Sequence, residues 1–270
     1  MSTVFVDETK GETAEGNEKR VEDFLAAQGM SSPPNVVHIP SELSPKKTYV
    51  DTKGKLVVKE RGKIRPQIIE LTQSTLSENP DPTKPMEMEA NFVYTKDPKI
   101  TIIIKPADCP VSIIYAKDKS GKDILGIVHS SAETVNAAVL RSSILHLIYE
   151  EGVDPAKIKI GILPGISQEH YGVSQQNEMN RIVERSWGKH IKPVDPNQDA
   201  SQRRNVDILG ATIMQFEEAQ VNPANIQAYA VDTYEASARG ESFSRRLQNE
   251  TGQRPGGFLV SAQLKAPKAA

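Results

Sequence analysis

The sequence predicts a single domain of mixed α/β class, with mixed sheets flanked by helices. Short apolar runs of strand length recur between turn residues along most of the chain. A helical apolar stripe follows them, formed by Leu140, Ile144, Leu147 and Ile148. Two similar segments, VDPAKIKIGIL at 153–163 and VNPANIQAYAV at 221–231, each place Asp or Asn and then Pro before a strand. This echo favours two related units within one domain.

We predict that the domain spans residues 19–264. Residues 1–18 are acidic and rich in Gly and Thr, so we expect a mobile tail there, apart from a short edge strand at Val4 to Val6. Residues 265–270 are predicted to be a C-terminal tail. A chain of 270 residues is long enough to bury ~70% of its unfolded surface in such a core.

Charge and composition exclude several classes of protein. The formal net charge is −2, which gives no overall attraction to nucleic acid or to an anionic membrane. No apolar run approaches the ~18 residues needed to span a bilayer, and residues 1–22 lack the apolar core of a signal peptide. We therefore expect a cytoplasmic protein without nucleic-acid or membrane partners. A single cysteine excludes an internal disulfide.

The N-terminal part of the domain is predicted to alternate strands with turns. Val21, Phe24 and Leu25 have helical spacing and Gly29 follows, which predicts a short helix within residues 19–28. Strands are then predicted at residues 36–39, 49–51, 55–58 and 67–71. The segment 74–85 carries three prolines and no periodicity, so we expect a surface loop.

The next predicted strands surround the cysteine. They are predicted at residues 91–95, 100–105, 111–116 and 124–128, and the sequence DKSGK at 118–122 predicts a hairpin loop between the last two. Ser130 and Glu133 then have the spacing of a capping box. We expect a helix to begin here, to carry the apolar stripe, and to pack on the sheet that holds Cys109.

Cys109 and His129 are the candidate catalytic pair. Each lies at the end of a predicted strand, where sheets often present functional side chains. As a dyad, the imidazole would take the thiol proton and the thiolate would attack an acyl or amide carbon. As metal ligands, the two would suit zinc together with a third protein ligand. A buried structural cysteine is the third alternative, and spacing alone favours it.

Other polar residues have weaker claims on a site. His170, in the loop GILPGISQEHYGV, could enter the site from another direction. The pair Arg245 and Arg246 precedes a tight segment, NETGQ, and could bind phosphate or carboxylate through guanidinium forks. Structural roles are preferred for three other histidines, which are His38, His146 and His190.

Several segments taken in order resemble a known family. They are EANFVYTKDPKITIIIKPADCPVSIIYA, ILGIVHSSAETVNAAVL and GVDPAKIKIGILPGISQEHYGV, followed by the region from Asn205 to Val260. They are similar to the laccase-domain family, once described as multicopper polyphenol oxidases and now associated with purine nucleoside phosphorylase and adenosine deaminase activity. The resemblance spans roughly residues 36–260. It implies a fold similar to the laccase domain and to cysteine hydrolases, with a nucleoside and phosphate as small-molecule partners.

The resemblance also implies a metal site with three ligands. The family's ligands are a cysteine after Ala-Asp, a histidine before Ala-Gly-Trp-Arg-Gly and a histidine in a Gln-x-His-Gly element. Cys109 and His129 match the first two, whereas Leu43 stands where the third is expected. Zinc is the cofactor that this pattern favours over copper, provided that a substitute ligand such as His170 or His38 completes the site.

Anion binding is only partly preserved relative to the family. Glu133 replaces the arginine that follows the second histidine, so its carboxylate would repel an anion. The C-terminal elements are retained at Ser244, Arg246, Thr251 and Gly252. We expect the substrate or anion to be bound by Arg246, Ser244 and Thr251, together with His170.

Three functional hypotheses follow from the sequence. The first is a laccase-domain enzyme that acts on purine nucleosides or a related small molecule at Cys109 and His129, zinc-dependent if active. The second is a metal-free Cys–His hydrolase or amidase, which needs only these two residues. The third is a degenerate family member that has lost catalysis and serves as a binding protein, as the residues Leu43, Ala132 and Glu133 indicate.

Overall fold

The protein is described by a computed structural model. The described residues are 2–8, 23, 25–30, 35–39, 48–50, 56–58, 67–83, 85–88, 90–174, 182–192, 203–252 and 257–265. The strands are β1 (Ser2–Glu8), β2 (Val36–Ile39), β3 (Thr48–Val50), β4 (Leu56–Val58), β5 (Ile68–Leu71), β6 (Met86–Glu87), β7 (Phe92–Thr95), β8 (Thr101–Ile104), β9 (Val111–Lys117), β10 (Asp123–His129), β11 (Lys159–Ile162), β12 (Gly172–Ser174), β13 (Arg203–Asn205), β14 (Ile226–Ala228) and β15 (Gly257–Gln263). The helices are α1 (Gln73–Leu76), α2 (Ala132–Asn136), α3 (Val139–Tyr149), α4 (Glu184–Trp187), α5 (Ile208–Glu218), α6 (Thr233–Ala238) and α7 (Arg245–Thr251), with 3₁₀ turns at Pro155–Lys157 and Pro223–Asn225.

Two mixed sheets form the centre of the domain. The six-stranded sheet has the order β14-β11-β9-β10-β7-β5, and the five-stranded sheet has the order β1-β15-β8-β2-β6. In the larger sheet β9 and β10 pair antiparallel, whereas the outer pairs β11 with β14 and β5 with β7 are parallel. Two further pairs, β12 with β13 and β3 with β4, are separate two-stranded sheets.

The six-stranded sheet is buried on both faces, which explains its continuous apolar strands. On β10, Ile124 and Val128 belong to a core cluster shared with the helices α3 and α5. Leu125 and Ile127, which point to the opposite face, pack in a second cluster with β2, β8 and β15. The layers therefore run from helices through two stacked sheets. This confirms the predicted mixed α/β domain with sheets flanked by helices.

A third cluster covers the outer face of the smaller sheet. Leu25, from a helical segment near residues 23–27, packs with Met30, Val36, Ile103 and Leu259. Leu25, the described member of the apolar pattern read from the sequence, is fully buried, whereas Val21 and Phe24 lie outside the described residues. Among the described residues, no helix combines the length and apolar character that crossing a bilayer requires.

The start of the predicted long helix differs from the expectation. The capping residue is Ser131 rather than Ser130. Ser131 Oγ accepts from the backbone N–H of Thr134, and the Thr134 hydroxyl oxygen accepts from the backbone N–H of Ser131. The helix is also divided into α2 and α3, since Ala138 adopts a left-handed φ of 53°. The buried stripe that includes Leu140 and Ile144 then lies on α3.

Two other expectations are changed or extended by the structure. The predicted loop at 74–85 begins inside α1, which Thr72 caps by accepting from Thr75 N, and β6 follows it. The edge strand predicted at Val4 to Val6 is present and longer than expected, since Ser2–Glu8 forms β1 at the edge of the five-stranded sheet and pairs with the whole of β15. Residues 9–18 and 266–270 lie outside the described residues.

The repeated segments lie side by side. Asp154 and Asn222 each cap a 3₁₀ turn that begins with proline, as the sequence predicted. The strands that follow, β11 and β14, pair in parallel with Ile160 opposite Ile226. The Asn225 side chain donates to the Ala156 carbonyl across the two turns at 2.8 Å. The two similar sequence segments therefore form adjacent units of one sheet.

Candidate active site around Cys109

The pairing of β9 with β10 brings Cys109 and His129 to the same end of the sheet. His129 is opposite Val111, the first residue of β9, and Ser130 N donates to the Pro110 carbonyl at 2.9 Å. Cys109 precedes Pro110 directly. The two predicted site residues thus lie on neighbouring chain segments at one strand end, as the sequence predicted.

The loop after β11 crosses the chain turn at Cys109. Ile166 N donates to the Asp108 carbonyl at 2.8 Å. A Cβ on Gly165 would stand 2.8 Å from Pro110 Cδ, so only glycine fits this approach. The crossing carries the loop onward to Tyr171, whose hydroxyl oxygen lies 3.9 Å from Cys109 Sγ.

The environment of the Cys109 thiol keeps it protonated at neutral pH. Burial raises the pKa of Cys109 to about 12, and the negative charges of Asp108 and Glu133 act in the same direction. The Tyr171 hydroxyl and the positive charge of Arg246 partly offset this increase. The thiol retains some exposed surface, but its surroundings are packed closely enough for desolvation to dominate.

The His129 imidazole is uncharged for the same physical reason. Burial lowers the pKa of His129 to about 4, because desolvation disfavours the imidazolium. A neutral thiol and a neutral imidazole therefore coexist at pH 7. This is the opposite of the thiolate–imidazolium pair that a metal-free Cys–His hydrolase uses.

Asp108 ties two C-terminal helices to the Cys109 turn. Its carboxylate accepts from the Thr233 hydroxyl at 3.0 Å, at the start of α6. Its other oxygen accepts from Arg246 N at 2.8 Å, in the first turn of α7. The Arg246 guanidinium in turn donates to the Gly172 carbonyl at 2.9 Å. Asp108, Tyr171 and Thr233 were not identified from the sequence as site residues.

The other predicted anion-binding residues have helix contacts. Ser244 is fully buried, and its hydroxyl caps α7 by accepting from Leu247 N. The Thr251 hydroxyl donates to the Leu247 carbonyl at 2.8 Å. Gly252 ends α7 with a left-handed φ of 69°. Of the predicted set on α7, Arg246 is the residue whose charge reaches the Cys109 thiol.

The His170 side chain contacts other residues than Cys109, although the adjacent Tyr171 lies against the thiol. His170 Nδ1 lies 2.8 Å from Asp232 Oδ2, and His170 Nε2 lies 3.4 Å from Glu235 Oε1. Its ring stacks on Tyr234 with centroids 4.0 Å apart. His170 therefore belongs to a separate cluster and does not serve as the substitute ligand beside Cys109.

The donors around Cys109 do not fit a three-ligand zinc site within the described part of the chain. There, the group of three His, Cys, Asp or Glu residues with ligand atoms mutually within 4.8 Å is His170, Asp232 and Glu235. Cys109 and His129 belong to no such group among these residues. Leu43, at the expected third position, lies outside the described residues.

Comparison with known families decides the classification. The sequence model of the multi-copper polyphenol oxidoreductase laccase family matches residues 56–260, which is more than half of the chain. The chain belongs to this family. A comparison with curated protein sequences finds no match.

Several solved structures share the fold of this chain. YfiH from Bacillus licheniformis has a TM-score of 0.64 and 17% identity, and the match covers 93% of this chain and 80% of that protein. YlmD from Geobacillus stearothermophilus has a TM-score of 0.63 and 17% identity, with 97% and 92% covered. Protein NMB0706 from Neisseria meningitidis has a TM-score of 0.64 and 12% identity, with 97% and 93% covered. At these identities the likeness shows the shared fold.

At Glu133 this laccase-family chain has a glutamate where the family pattern has an arginine. It lies in the first turn of α2, and its carboxylate contributes to raising the pKa of Cys109. The neighbouring backbone of Ala132 supplies a hydrogen bond to the Tyr171 hydroxyl. The start of α2 thus forms one wall of the candidate site, with a negative charge where the family pattern has a positive one.

Proposed function

We propose that the protein is an enzyme that acts on purine nucleosides, or on a related small molecule, at the site formed by Cys109, His129, Tyr171 and Arg246. The observation that carries the proposal is the approach of the Tyr171 hydroxyl to the Cys109 thiol, at 3.9 Å, on the strand end that also holds His129. Family membership supports the substrate class.

The protonation states of the site disfavour thiolate attack. His129, with a pKa of about 4, is unprotonated at pH 7 and can act as a base, though a weak one, because a general base is most efficient when its pKa lies near the working pH. The thiol of Cys109, with a pKa of about 12, and the Tyr171 hydroxyl, whose pKa burial also raises, are hydrogen-bond donors that stay protonated. A substrate at this place would meet one neutral base and two neutral donors.

Two reactions are consistent with such a set of groups. In phosphorolysis, a phosphate oxygen bonds to the sugar C1′, the glycosidic C–N bond breaks and the purine leaves with a proton. In deamination, water adds to the purine carbon that carries the amino group, and the C–N bond breaks to release ammonia. His129 would move the proton in either case, and Arg246, held by the Gly172 carbonyl, would supply positive charge for an anion.

The proposal contains no step through zinc. Zinc in a catalytic site is usually held by three protein ligands, and Cys109 and His129 are part of no three-ligand group among the described residues. The proposed chemistry is therefore assigned to the side chains themselves.

The test is an activity assay with the purified full chain. Inosine and adenosine are incubated with and without phosphate, and release of free base and ammonia is followed. We expect turnover that falls at least ~100-fold in His129→Ala, a loss typical for an acid–base residue, and that also falls in Cys109→Ala, which removes a hydrogen-bond donor. His190→Gln, which alters a histidine paired with Asp207 away from the site, should retain activity. Turnover no higher than that of Cys109→Ala would refute the proposal.

A second candidate, a nucleoside-binding protein without catalysis, is favoured by one observation. The raised pKa of Cys109 and the lowered pKa of His129 leave both groups uncharged, as in a site that binds without reacting. Saturable nucleoside binding that is lost in Arg246→Ala, together with no turnover in the assay above, would identify this function. Turnover dependent on His129 would exclude it.

A further inference from the structure

We propose that His170, Asp232 and Glu235 bind a divalent transition-metal cation, at a site separate from the proposed nucleoside site. The ligand atoms of these three side chains lie within 4.8 Å of one another. They come from the loop after β11 and from the start of α6. The proposal uses neither Cys109 nor His129, so it extends beyond the proposed function.

His170 meets one carboxylate at each of its two ring nitrogens. His170 Nδ1 and Asp232 Oδ2 are 2.8 Å apart, and His170 Nε2 and Glu235 Oε1 are 3.4 Å apart. One imidazole gives an ion a single nitrogen, and zinc binds its nitrogen and oxygen ligands at about 2.0–2.2 Å, which places neighbouring ligands roughly 3–3.5 Å from each other. The three ligand atoms already lie within 4.8 Å of one another, so a rotation of the Glu235 side chain would bring all three around one ion. Glu235 is free to make it, since its side chain is 56% exposed.

Asp232 is held in place by contacts that leave one oxygen for the ion. Its Oδ1 accepts from the backbone N–H groups of Ser167 at 3.1 Å and Tyr234 at 3.0 Å. Its Oδ2 points to His170. The carboxylate is therefore oriented, as a metal ligand has to be.

The His170 ring is also positioned by its neighbours. It stacks on Tyr234 with an angle of 10° between the ring planes and a centroid distance of 4.0 Å. Ser167 Oγ lies 3.3 Å from Nδ1. Such contacts fix ring orientation in the way that outer-shell partners do in known metal sites. His170 and Asp232 keep 26% and 18% of their side-chain surface, so water has access to the remaining coordination positions.

The charges of the cluster favour a cation. Asp232 and Glu235 supply two carboxylates, and the nearby Arg239 is engaged by Glu241 at 2.9 Å. Imidazole together with two carboxylates suits zinc, manganese or iron, whereas magnesium and calcium prefer oxygen ligands alone. We therefore expect Zn²⁺ and Mn²⁺ to bind, and Mg²⁺ to bind far more weakly.

The test is a calorimetric titration of the full chain with Zn²⁺, Mn²⁺ and Mg²⁺ after chelator treatment. Cys109→Ser is used as the background so that the only thiol does not contribute. We expect one Zn²⁺ per chain, with affinity reduced at least ~100-fold in His170→Gln and ~10-fold in Glu235→Gln. Glu235 is exposed, so its variant keeps the fold even if His170→Gln does not.

The matched control is His190→Gln. His190 Nδ1 lies 3.0 Å from Asp207 Oδ2, which is also a histidine–carboxylate pair, but no third ligand completes it among the described residues. Its variant should bind Zn²⁺ as the background does. No Zn²⁺ binding, or binding unchanged in Glu235→Gln, would overturn the proposal and leave a hydrogen-bonded ion cluster only. Because no nucleoside is present, this outcome is independent of the activity assay.

Discussion

Gly165→Ala should destabilise the fold and disturb the candidate site together. The added Cβ would lie 2.8 Å and 3.0 Å from two carbons of Pro110, and 3.1 Å from the Asp108 carbonyl oxygen. Carbon atoms in contact are normally about 3.5–4.0 Å apart. Either the loop or the Cys109 turn must therefore move by a large part of 1 Å. Proline is a rigid ring, so the movement falls on the backbone.

Overpacking of this kind costs about 1–3 kcal/mol. The φ of Gly165 is not left-handed, so the effect is steric and free of backbone strain. In a chain of this size we expect a decrease in Tm of about 2–4 °C for each kcal/mol. Urea unfolding followed by circular dichroism measures the change in stability. Alkylation of Cys109 in the native protein should become faster in this variant, because the loop no longer closes over the thiol.

The matched control is Gly161→Ala, four positions earlier on β11. A Cβ on Gly161 would meet no atom within 4 Å, and its φ is not left-handed either. Since alanine lowers the entropy of the unfolded chain, this variant should be neutral or up to about 1 kcal/mol more stable. Equal stabilities for the two variants would refute the idea that the loop crossing holds the Cys109 turn.

Three further predictions concern the groups at the same strand end. Because the pKa of Cys109 is raised to about 12, iodoacetamide alkylation of the native protein should keep accelerating above pH 9, and a plateau near pH 8.5 would contradict this. The pKa of His129 is about 4 in the folded protein and about 6.5 in the unfolded chain, so its contribution to the free energy of unfolding is present above pH 6.5 and is lost as the pH falls toward 4. The loss should be at most about 3 kcal/mol. In urea unfolding at pH 7 and pH 4.5, His129→Gln should reduce the difference in stability between the two pH values. Ser131→Ala should cost about 1 kcal/mol through the lost cap. Ser130→Ala should cost less, because the buried Ser130 hydroxyl has no hydrogen-bond partner among the described residues. Thermal unfolding that ranks the two variants the other way would support the capping box predicted at Ser130.

The central sheet could be predicted because its local and long-range requirements agree. Ile124 to Val128 are apolar at every position except Gly126, since one face meets the helices and the other meets the second sheet. Gly126 fits the same logic, because a Cβ there would lie 2.5 Å from the Phe92 ring. A strand that is buried on both faces can be recognised from its apolar composition alone.

The errors at α2 and α3 arose where local signals compete. Ser130 and Ser131 both offer a hydroxyl before the helix, and the sequence pairs one with Glu133 and the other with Thr134. The structure uses Ser131, because Ser130 N is already committed to the Pro110 carbonyl. The left-handed backbone conformation occurs at an alanine, Ala138, so no glycine or proline at that position indicates it in the sequence. Tertiary packing decided both points.

The candidate site was predicted only in part, because its members are remote in sequence. Cys109 and His129 could be placed together through a hairpin of neighbouring strands. Tyr171 and Thr233 reach the same place from 62 and 125 residues away. No periodicity links such positions. His170 was expected in the site, yet its side chain turns to Asp232, which is also 62 residues distant.

Asp108 has a consequence for the order in which the protein matures during synthesis. Its two carboxylate oxygens are occupied by Thr233 and Arg246, which are 125 and 138 residues further along the chain. A ribosome-bound chain that ends before residue 233 has the strands β8, β9 and β10 but lacks both of these partners. Loops of this length are closed late, since their closure entropy has to be met before the contacts form. The Cys109 turn is thus completed last, by the helices α6 and α7, and a nascent or truncated chain would carry an unformed candidate site.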